Sequence, residues 1–392
     1  METDNRQLRG RAAIVGIGQF GTGVSPGYTD LELLSEAAYA AVKDAGLKMS
    51  DIDGIATCSV SASMWAMGVI EHLGIKPNYI DGTCLGGSSF MSYVLSAVAA
   101  LTSGRCKAVL VCYGSAQRSS PVNRSVIANA RKTLDPQTYE APYDPLNPLS
   151  SYALAARRHM HQYGTTREHL AEVAVAARKW AMLNPDAHAR TPLTIEEVLA
   201  SRLVSDPLSL LDCCLVSDGG GAFVITTSER ARDLPKKAAY ILGNGTAVWH
   251  RNIACMADLT TTAAQESGLK AFAMAGLTPA EVDHVGLYDA FTINPILFLE
   301  DLGFCKKGEG GAFVADGGIA PGGRLAVNTN GGGLSCVHPG MYGVFMILEA
   351  VRQLRGEAGQ RQLSKVDVSL AHGNGGTLSS QSTLILGSAA TV

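Results

Sequence analysis

Charge is scarce in this chain of 392 residues: Asp, Glu, Lys and Arg make up 17%, against about 25% in an average soluble protein. Less charge for the length means less solvated surface, which implies a large core and a buried subunit interface. The charges nearly cancel, at −3 net, and no basic run exceeds a pair such as Lys306-Lys307. The stripe of Lys and Arg that follows a nucleic-acid backbone is therefore missing. No uninterrupted apolar stretch reaches about 20 residues, so no membrane span is expected. The first residues, Met1 to Gln7, are polar and form no apolar signal region.

Paired cysteines are missing as well. Nine Cys, an odd number without a C-x-x-C pair, argue against a disulfide framework and against a four-Cys zinc site. Free thiols suit a reducing cytoplasm, the expected location. Cys213-Cys214 and His159-x-His161 could each ligate a metal, but solvent-facing or hydrogen-bonded side chains are the commoner use of such pairs. No metal is expected.

What the chain has in excess is glycine, 43 residues, and a pattern that occurs twice. Ala12 to Gly18 reads as a buried strand ending in a glycine turn. Thr29-Asp30 opens a helix that stops at Ala45-Gly46-Leu47, and Asp51-Ile52-Asp53 leads into a strand at Gly54–Thr57. Shifted by 230 residues, Ala275-Gly276-Leu277 stops another helix, and Glu281-Val282-Asp283 leads into Val285–Tyr288. Each half then carries a Gly-rich loop, a long apolar helix and a strand: helix 88–101 with strand 107–112, and helix 341–354 with strand 366–370. Strands alternating with helices imply an α/β fold with two similar βαβ-rich halves. Residues 1–235 form the first half and 236–392 the second. An irregular insertion at about 115–210, with Pro121, Asp144-Pro145 and Asn147-Pro148, carries helices near 150–163 and 167–183. It is too long for a plain connection and is expected to cap a site or build an interface.

Gly16-Ile17-Gly18-Gln19-Phe20-Gly21 fits G-x-G-x-x-G after a strand. A dinucleotide site would need a helix opening at once and an acidic residue closing the next strand. Thr22 to Gly27 delays the helix, and the next strand ends at Thr57-Cys58. Nicotinamide and flavin binding are set aside on that ground.

The chemistry sits in four loops. Gly82-Thr83-Cys84-Leu85-Gly86-Gly87 puts a thiol at a helix entrance, where the helix dipole favours thiolate. Asn328 to Gly340 (Asn-Thr-Asn-Gly-Gly-Gly-Leu-Ser-Cys-Val-His-Pro-Gly) puts His338 in a glycine-rich loop at the corresponding place in the second half. A thiol beside an imidazole makes an activated nucleophile. Ala371-His372-Gly373-Asn374-Gly375-Gly376, taken as a loop after the last long strand, offers a second imidazole and several N–H groups. Tyr288-Asp289-Ala290-Phe291-Thr292-Ile293-Asn294 follows the repeated strand. Strand-end loops are where α/β folds place ligands. For each of these residues a purely structural use is the competing reading: a buried Cys, a satisfied His, an Asp that pins a turn, an Asn that caps a helix.

With these loops in view, nearly the whole chain resembles the thiolase superfamily, most of all the sterol-carrier-protein-type thiolases and their lipid-transfer relatives. Gly332 to Gly340 resembles the family's Gly-Gly-…-Gly-His-Pro loop, with Val337 in place of the usual Gly. Ser217-Asp218-Gly219-Gly220-Gly221-Ala222 resembles its Asp-Gly-Ala-Ala stretch, and Leu302 to Gly311 looks typical of the lipid-transfer branch. The resemblance implies a duplicated thiolase fold layered α-β-α-β-α, and a homodimer. It implies thiolytic, retro-Claisen cleavage of a bulky or aromatic 3-ketoacyl-CoA through a Cys84 acyl-enzyme, such as a sterol side chain or benzoylsuccinyl-CoA. Coenzyme A is then a co-substrate, and no permanently bound cofactor is implied. His338 takes the Cys84 proton and, with a water held by Asn294, serves the enolate. The N–H groups of Cys84 and of the Gly373, Asn374, Gly375 segment serve the tetrahedral intermediate, with Gly340 in the same substrate loop region. The family's second Cys is missing: its two usual positions hold His372 and Ala290. Proton transfer to the substrate carbon therefore falls to His372, Tyr288 or the substrate, with His372 expected first.

Two other readings stand beside this one. Lipid-transfer relatives that lack the nucleophile are retro-aldolases on 3-hydroxyacyl-CoA, and Tyr288 would be their acid/base. The chain could also be a non-catalytic acyl-CoA-binding scaffold. The branch often pairs with a small zinc-ribbon/OB-fold subunit that binds acyl-CoA, so such a partner is expected.

Overall fold

The computed structural model describes residues 5–120, 140–143 and 145–392. Pro121 and Asp144, read above as part of the insertion, lie outside these residues. In chain order the main elements are β1 (Ala12–Gly23), α1 (Asp30–Asp44), β2 (Gly54–Ala56), α2 (Trp65–Leu73), β3 (Tyr79–Asp81), α3 (Ser89–Thr102) and β4 (Ala108–Ser115). The insertion contributes α4 (Leu149–Tyr163) and α5 (Arg167–Met182), and the chain returns through β5 (Asp218–Thr227). Then follow β6 (Ala239–Val248), α6 (Ala264–Ala275), β7 (His284–Leu287), α7 (Ile293–Asp301), β8 (Ala326–Val327), α8 (Gly343–Arg355), β9 (Val368–Gly375) and β10 (Ser380–Gly387).

The sheet shows the duplication directly. Its order is β8-β7-β9-β10-β6-β1-β5-β4-β2-β3, with β1 and β6 joined at the centre. Outward from that seam, each side runs antiparallel, antiparallel, parallel, parallel. The Asp53 and Asp283 carboxylates, matched by the 230-residue shift, do the same work. Asp53 accepts the N–H of Lys107 and Ala108 at 2.7 and 2.9 Å, which fixes the start of β4. Asp283 accepts those of Asp367 and Val368 at 2.8 and 2.9 Å at the start of β9.

Strand glycines explain how the helices approach. A Cβ on Gly16 or Gly18 of β1 would lie 2.2 or 2.1 Å from a carbonyl oxygen of α1, and one on Gly243 or Gly245 of β6 would lie 2.1 or 2.2 Å from α6. The motif set aside as a dinucleotide site is thus a packing face. It lies inside β1, which continues to Gly23 rather than turning at Gly18. The Thr29–Glu32 capping box opens α1 as expected. Helices α1 and α6 cover the outer faces, while α3 and α8 touch each other and strands of both halves, giving the expected five layers. Among the described residues no helix is long and apolar enough to cross a membrane.

Candidate active site

The two halves meet through backbone. The turn Gly86–Ser88 that leads into α3 presses against the end of β9: a Cβ on Gly375 would sit 1.6 Å from the Leu85 carbonyl oxygen. A Cβ on Gly343, at the start of α8, would sit 1.9 Å from the Gly87 oxygen, and one on Gly87 would sit 2.1 Å from the Tyr288 ring. Only glycine permits such approach. Tyr288 therefore lies against the turn that follows Cys84, and its other edge meets His338, ring centroids 5.6 Å apart in a T-shape.

Cys84 is exposed at the mouth of this junction. Its loop is held on both sides: Tyr93 donates to the Thr83 carbonyl at 2.6 Å, and Leu85 N–H donates to Ser89 Oγ at 2.8 Å. Its thiol is lowered to about 6, chiefly by a hydrogen bond from Cys58 and also by the Gly86 N–H, against the effect of burial. Nothing in the sequence marks Cys58 beyond its place at the end of a strand. Pairing of β2 with β3 brings it beside Cys84.

His338 is nearly buried, and burial lowers it to about 4, so its imidazole is neutral at ordinary pH. Its Nε2 is buried and has no hydrogen-bond partner. The Cys84 and His338 loops, expected to converge in one pocket, both lie against Tyr288, and no hydrogen bond joins their side chains among the described residues. The His338 loop is fixed from several directions. Ser217 Oγ accepts its N–H at 2.9 Å, Asp289 accepts Gly333 N–H at 2.6 Å and Leu334 N–H at 3.3 Å, and Thr329 donates to Glu349 at 2.7 Å. Burial raises Asp289 to about 7, while the Gly333 and Leu334 N–H groups that it accepts pull the other way. Tyr113 donates to the Pro339 carbonyl at 2.5 Å, and Gly340 follows at φ +91° with Gln117 beside it.

Asn294, fully buried near the start of α7, has neither amide atom at bonding distance from a partner; the Tyr152 hydroxyl is a neighbour beyond that range. A buried amide left without partners costs stability, and such orphans mark places where something else binds. Its neighbour network is complete by contrast: Asn374 donates to Tyr152 at 2.8 Å and accepts from Gln381 at 2.8 Å. Replacing Asn294 by Leu is expected to keep or raise the thermal midpoint while lowering turnover by about 10²-fold. Parallel melting and kcat measurements check this; a variant that unfolds early with normal kcat would show Asn294 to be structural.

His372 does not fit the role expected for it. It lies within β9, fully buried against Phe298, with Nδ1 at 2.9 Å from Thr383 Oγ1 and Nε2 at 3.0 Å from Gln381 Oε1. Both ring nitrogens are occupied by the neighbouring strand. Residues 373–375 are likewise strand rather than loop, paired with Ser382, Gln381 and Ser380. Burial lowers His372 to about 3 from 6.5, so its stabilising contribution is present above pH 6.5 and is lost as pH falls toward 3. A His372→Gln variant is expected to keep the shape of the pH–rate profile and lose stability less steeply in acid. A displaced profile would restore the proton-transfer role.

The suggested metal pairs are used otherwise. His159 is buried between Thr165 and Glu300 at 2.8 and 3.0 Å while His161 is exposed, and Cys213 donates to the Ser209 carbonyl at 3.4 Å. Cys214 N–H donates to the Ala290 carbonyl at 2.8 Å, lacing the segment before β5 onto the Tyr288 loop.

Residues 245–388 match the family model described as "Thiolase C-terminal domain-like". The chain is 37% identical to a steroid side-chain-cleaving aldolase from Thermomonospora curvata, over 94% of this chain and 96% of that protein. It is 34% identical to an acetyl-CoA acetyltransferase from Methanothermobacter thermautotrophicus, over 93% and 96%. Among solved structures, an Ltp2–ChsH2(DUF35) aldolase superposes with a TM-score of 0.87 at 35% identity, covering 97% of this chain and 98% of that one. The duplicated sheet, the thiol at the α3 entrance, the Val337-His338-Pro339 loop and these similarities together show that the chain belongs to the thiolase superfamily, in the branch that includes sterol carrier protein 2.

Proposed function

We propose that the chain is an acyltransferase that cleaves a bulky 3-ketoacyl-CoA with coenzyme A through a Cys84 acyl-enzyme. The observation that carries this reading is an exposed thiol lowered to about 6 at a helix entrance, across Tyr288 from an imidazole whose Nε2 has no partner. The Cys84 sulfur attacks the ketone carbon and the bond to the α-carbon breaks. The departing enolate of the shortened CoA ester is met by His338 Nε2 and Asn294, which are buried and unspent. Free CoA then collects the acyl group, and its thiol proton balances the one taken up by the enolate carbon. A bulky substrate is supported by the steroid named for the Thermomonospora relative.

Incubation with a 3-ketoacyl-CoA in the absence of free CoA tests this. Intact mass is expected to rise by one acyl group, which peptide mapping places on Cys84. An unmodified protein that nonetheless consumes substrate would sink the acyl-enzyme.

One observation favours a second reading. Tyr288 is buried between the Cys84 turn and His338, accepts from Tyr342 N–H at 3.2 Å and donates to the Gly340 carbonyl at 3.4 Å. A hydroxyl so placed could serve as the acid/base of a retro-aldol cleavage, accepting the proton of a 3-hydroxyl only as it gives up its own, and two of the similar proteins are named aldolases. Release of an aldehyde or ketone from a 3-hydroxyacyl-CoA, without CoA consumption, distinguishes this activity.

We propose that the protein works in the cytoplasm, with all nine cysteines free. We propose a homodimer through the edge of the sheet: among the described residues β3 is unpaired on one side, and Met64, Met67 and Ile80 beside it are exposed. A small zinc-ribbon/OB-fold subunit is the proposed second partner, supported by the DUF35 component named with the similar aldolase.

A further inference from the structure

One buried hydroxyl near the junction is left unused by the reaction scheme. Tyr152, on α4 of the insertion, is buried, and its ring lies on Phe291 with centroids 4.5 Å apart. The Phe291 carbonyl accepts the N–H of Asn294 at 3.0 Å, so the ring stands one turn from that unpartnered amide. The Tyr152 hydroxyl is 3.3 Å from the Gly376 carbonyl oxygen. Gly376 in turn lies against the turn after Cys84: a Cβ on Gly86 would sit 3.0 Å from the Gly376 nitrogen. Tyr152 thus connects the two groups that the scheme sets on either side of the breaking bond, the turn that carries the thiol and the Asn294 amide.

A row of hydrogen bonds decides what that hydroxyl can do. Asn374 Nδ2 donates to the Tyr152 oxygen at 2.8 Å, and Gln381 Nε2 donates to Asn374 Oδ1 at 2.8 Å. The Gln381 oxygen therefore faces His372, 3.0 Å from Nε2, and that nitrogen must carry the ring proton. Burial keeps the ring neutral, so its Nδ1 accepts from Thr383 Oγ1 at 2.9 Å, and Ser267 Oγ lies 2.9 Å from the same hydroxyl. Each donor from Thr383 onward points toward Tyr152, whose oxygen ends the row as an acceptor. Its own proton is left with the Gly376 carbonyl at 3.3 Å, well beyond the roughly 2.8 Å of a good O–H···O bond. A hydroxyl that already accepts a hydrogen bond is a stronger donor, and a ligand oxygen that came closer would displace the carbonyl.

We infer that Tyr152 is a substrate-binding residue whose hydroxyl donates to the oxygen on C3 of the acyl chain, and that His372 positions it through Gln381 and Asn374. His372, with both nitrogens bonded, acts by holding one tautomer. Loss of its Nε2–H would let Gln381 and Asn374 turn their amides over. The Asn374 oxygen would then face Tyr152 and take its proton, and the substrate oxygen would lose its donor. A ketone and an alcohol both offer an acceptor at C3, so the contact fits 3-ketoacyl and 3-hydroxyacyl esters alike and refuses a saturated chain.

The inference rests on the reading of the substrate as such a CoA ester, but its test needs no turnover. In a Cys84→Ala background, calorimetry measures the affinity for 3-ketooctanoyl-CoA and for octanoyl-CoA, which lacks the C3 oxygen. The keto ester is expected to bind roughly tenfold more tightly, as one buried hydrogen bond allows. Adding Tyr152→Phe is expected to narrow that ratio below about twofold by weakening the keto ester alone. His372→Leu, in the same background, is expected to narrow it as well, while His372→Gln, which keeps a donor toward Gln381, is expected to restore it. Each variant is checked for fold by circular dichroism. A folded Tyr152→Phe protein with the parent ratio overturns the inference, as do equal affinities in the Cys84→Ala parent. A folded His372→Leu protein with the parent ratio overturns the role of His372. If Tyr152→Phe does not fold, the comparison of His372→Leu with His372→Gln decides. Two esters that bind equally well would remove Tyr152 and leave the acyl-CoA reading standing, whereas binding of neither would remove both, so the two failures are distinguishable.

Discussion

Turnover of a 3-ketoacyl-CoA is expected to fall by roughly 10⁴-fold when Cys84 is replaced by Ser. The substitution keeps the shape of the side chain and the loop that holds it. It replaces a thiol lowered to about 6 by a hydroxyl that stays protonated near neutral pH. Among the described residues no base is hydrogen-bonded to the Cys84 side chain to ionise a serine in its place. His338 is lowered to about 4 and its Nε2 reaches no partner, and both nitrogens of His372 are already bonded. The measurement is steady-state kcat with 3-ketoacyl-CoA and free CoA, alongside intact mass after mixing with substrate. The same variant should be assayed on a 3-hydroxyacyl-CoA. Cleavage within tenfold of wild type there would assign the reaction to Tyr288 and leave Cys84 without a covalent role.

A single methyl group at position 375 is expected to be the most damaging small change in the fold. The Cβ of Gly375→Ala would lie 1.6 Å from the Leu85 carbonyl oxygen and 2.9 Å from Ser88 Oγ. Relief requires either β9 or the α3 entrance to move. Strand β9 is held along its length by β10, and the turn is held by Ser88 bonding to Leu85 O and Ser380 Oγ, each at 2.8 Å. The cost is expected to exceed about 3 kcal/mol, at the upper end for overpacking, with loss of activity because the displaced turn carries Cys84. Gly68→Ala provides the contrast. That glycine lies within α2, and a Cβ there meets nothing within 4 Å. The same methyl should stabilise by up to about 1 kcal/mol through helix propensity. Thermal unfolding of the two variants is expected to shift in opposite directions; equal midpoints would mean that the contact between the halves is looser than its distances imply.

Local patterns in the sequence carried much of the architecture. The stops at Gly46 and Gly276 and the acidic turns at Asp53 and Asp283 reveal the duplication because each does its work within a few residues of its own helix and strand. The Cys84 and His338 loops were legible for the same reason: glycines beside a reactive side chain mark close approach. What stayed hidden depends on partners distant in the chain. His372 looked available because Gln381 and Thr383, which occupy it, belong to the next strand. The segment 373–375 looked like a loop because glycine disguises strand pairing. Cys58 looked ordinary because only the β2–β3 register brings it to Cys84. Gly16 to Gly21 looked like a turn because close helix packing and a tight turn call for the same residue.

The seam where Gly87, Gly343 and Gly375 meet is largely main chain, closed by the Tyr288 ring and Ser88 Oγ. Size, polarity and shape of the substrate cannot be tuned there without prising the two halves apart. The insertion between β4 and β5 reaches the same region with a side chain, Tyr152, which is buried against Phe291 and accepts from Asn374, and a change of substrate range is expected to begin there. The molecule thus separates a fixed reactive hinge from an editable wall, so that selectivity can drift while the geometry of bond breaking stays put.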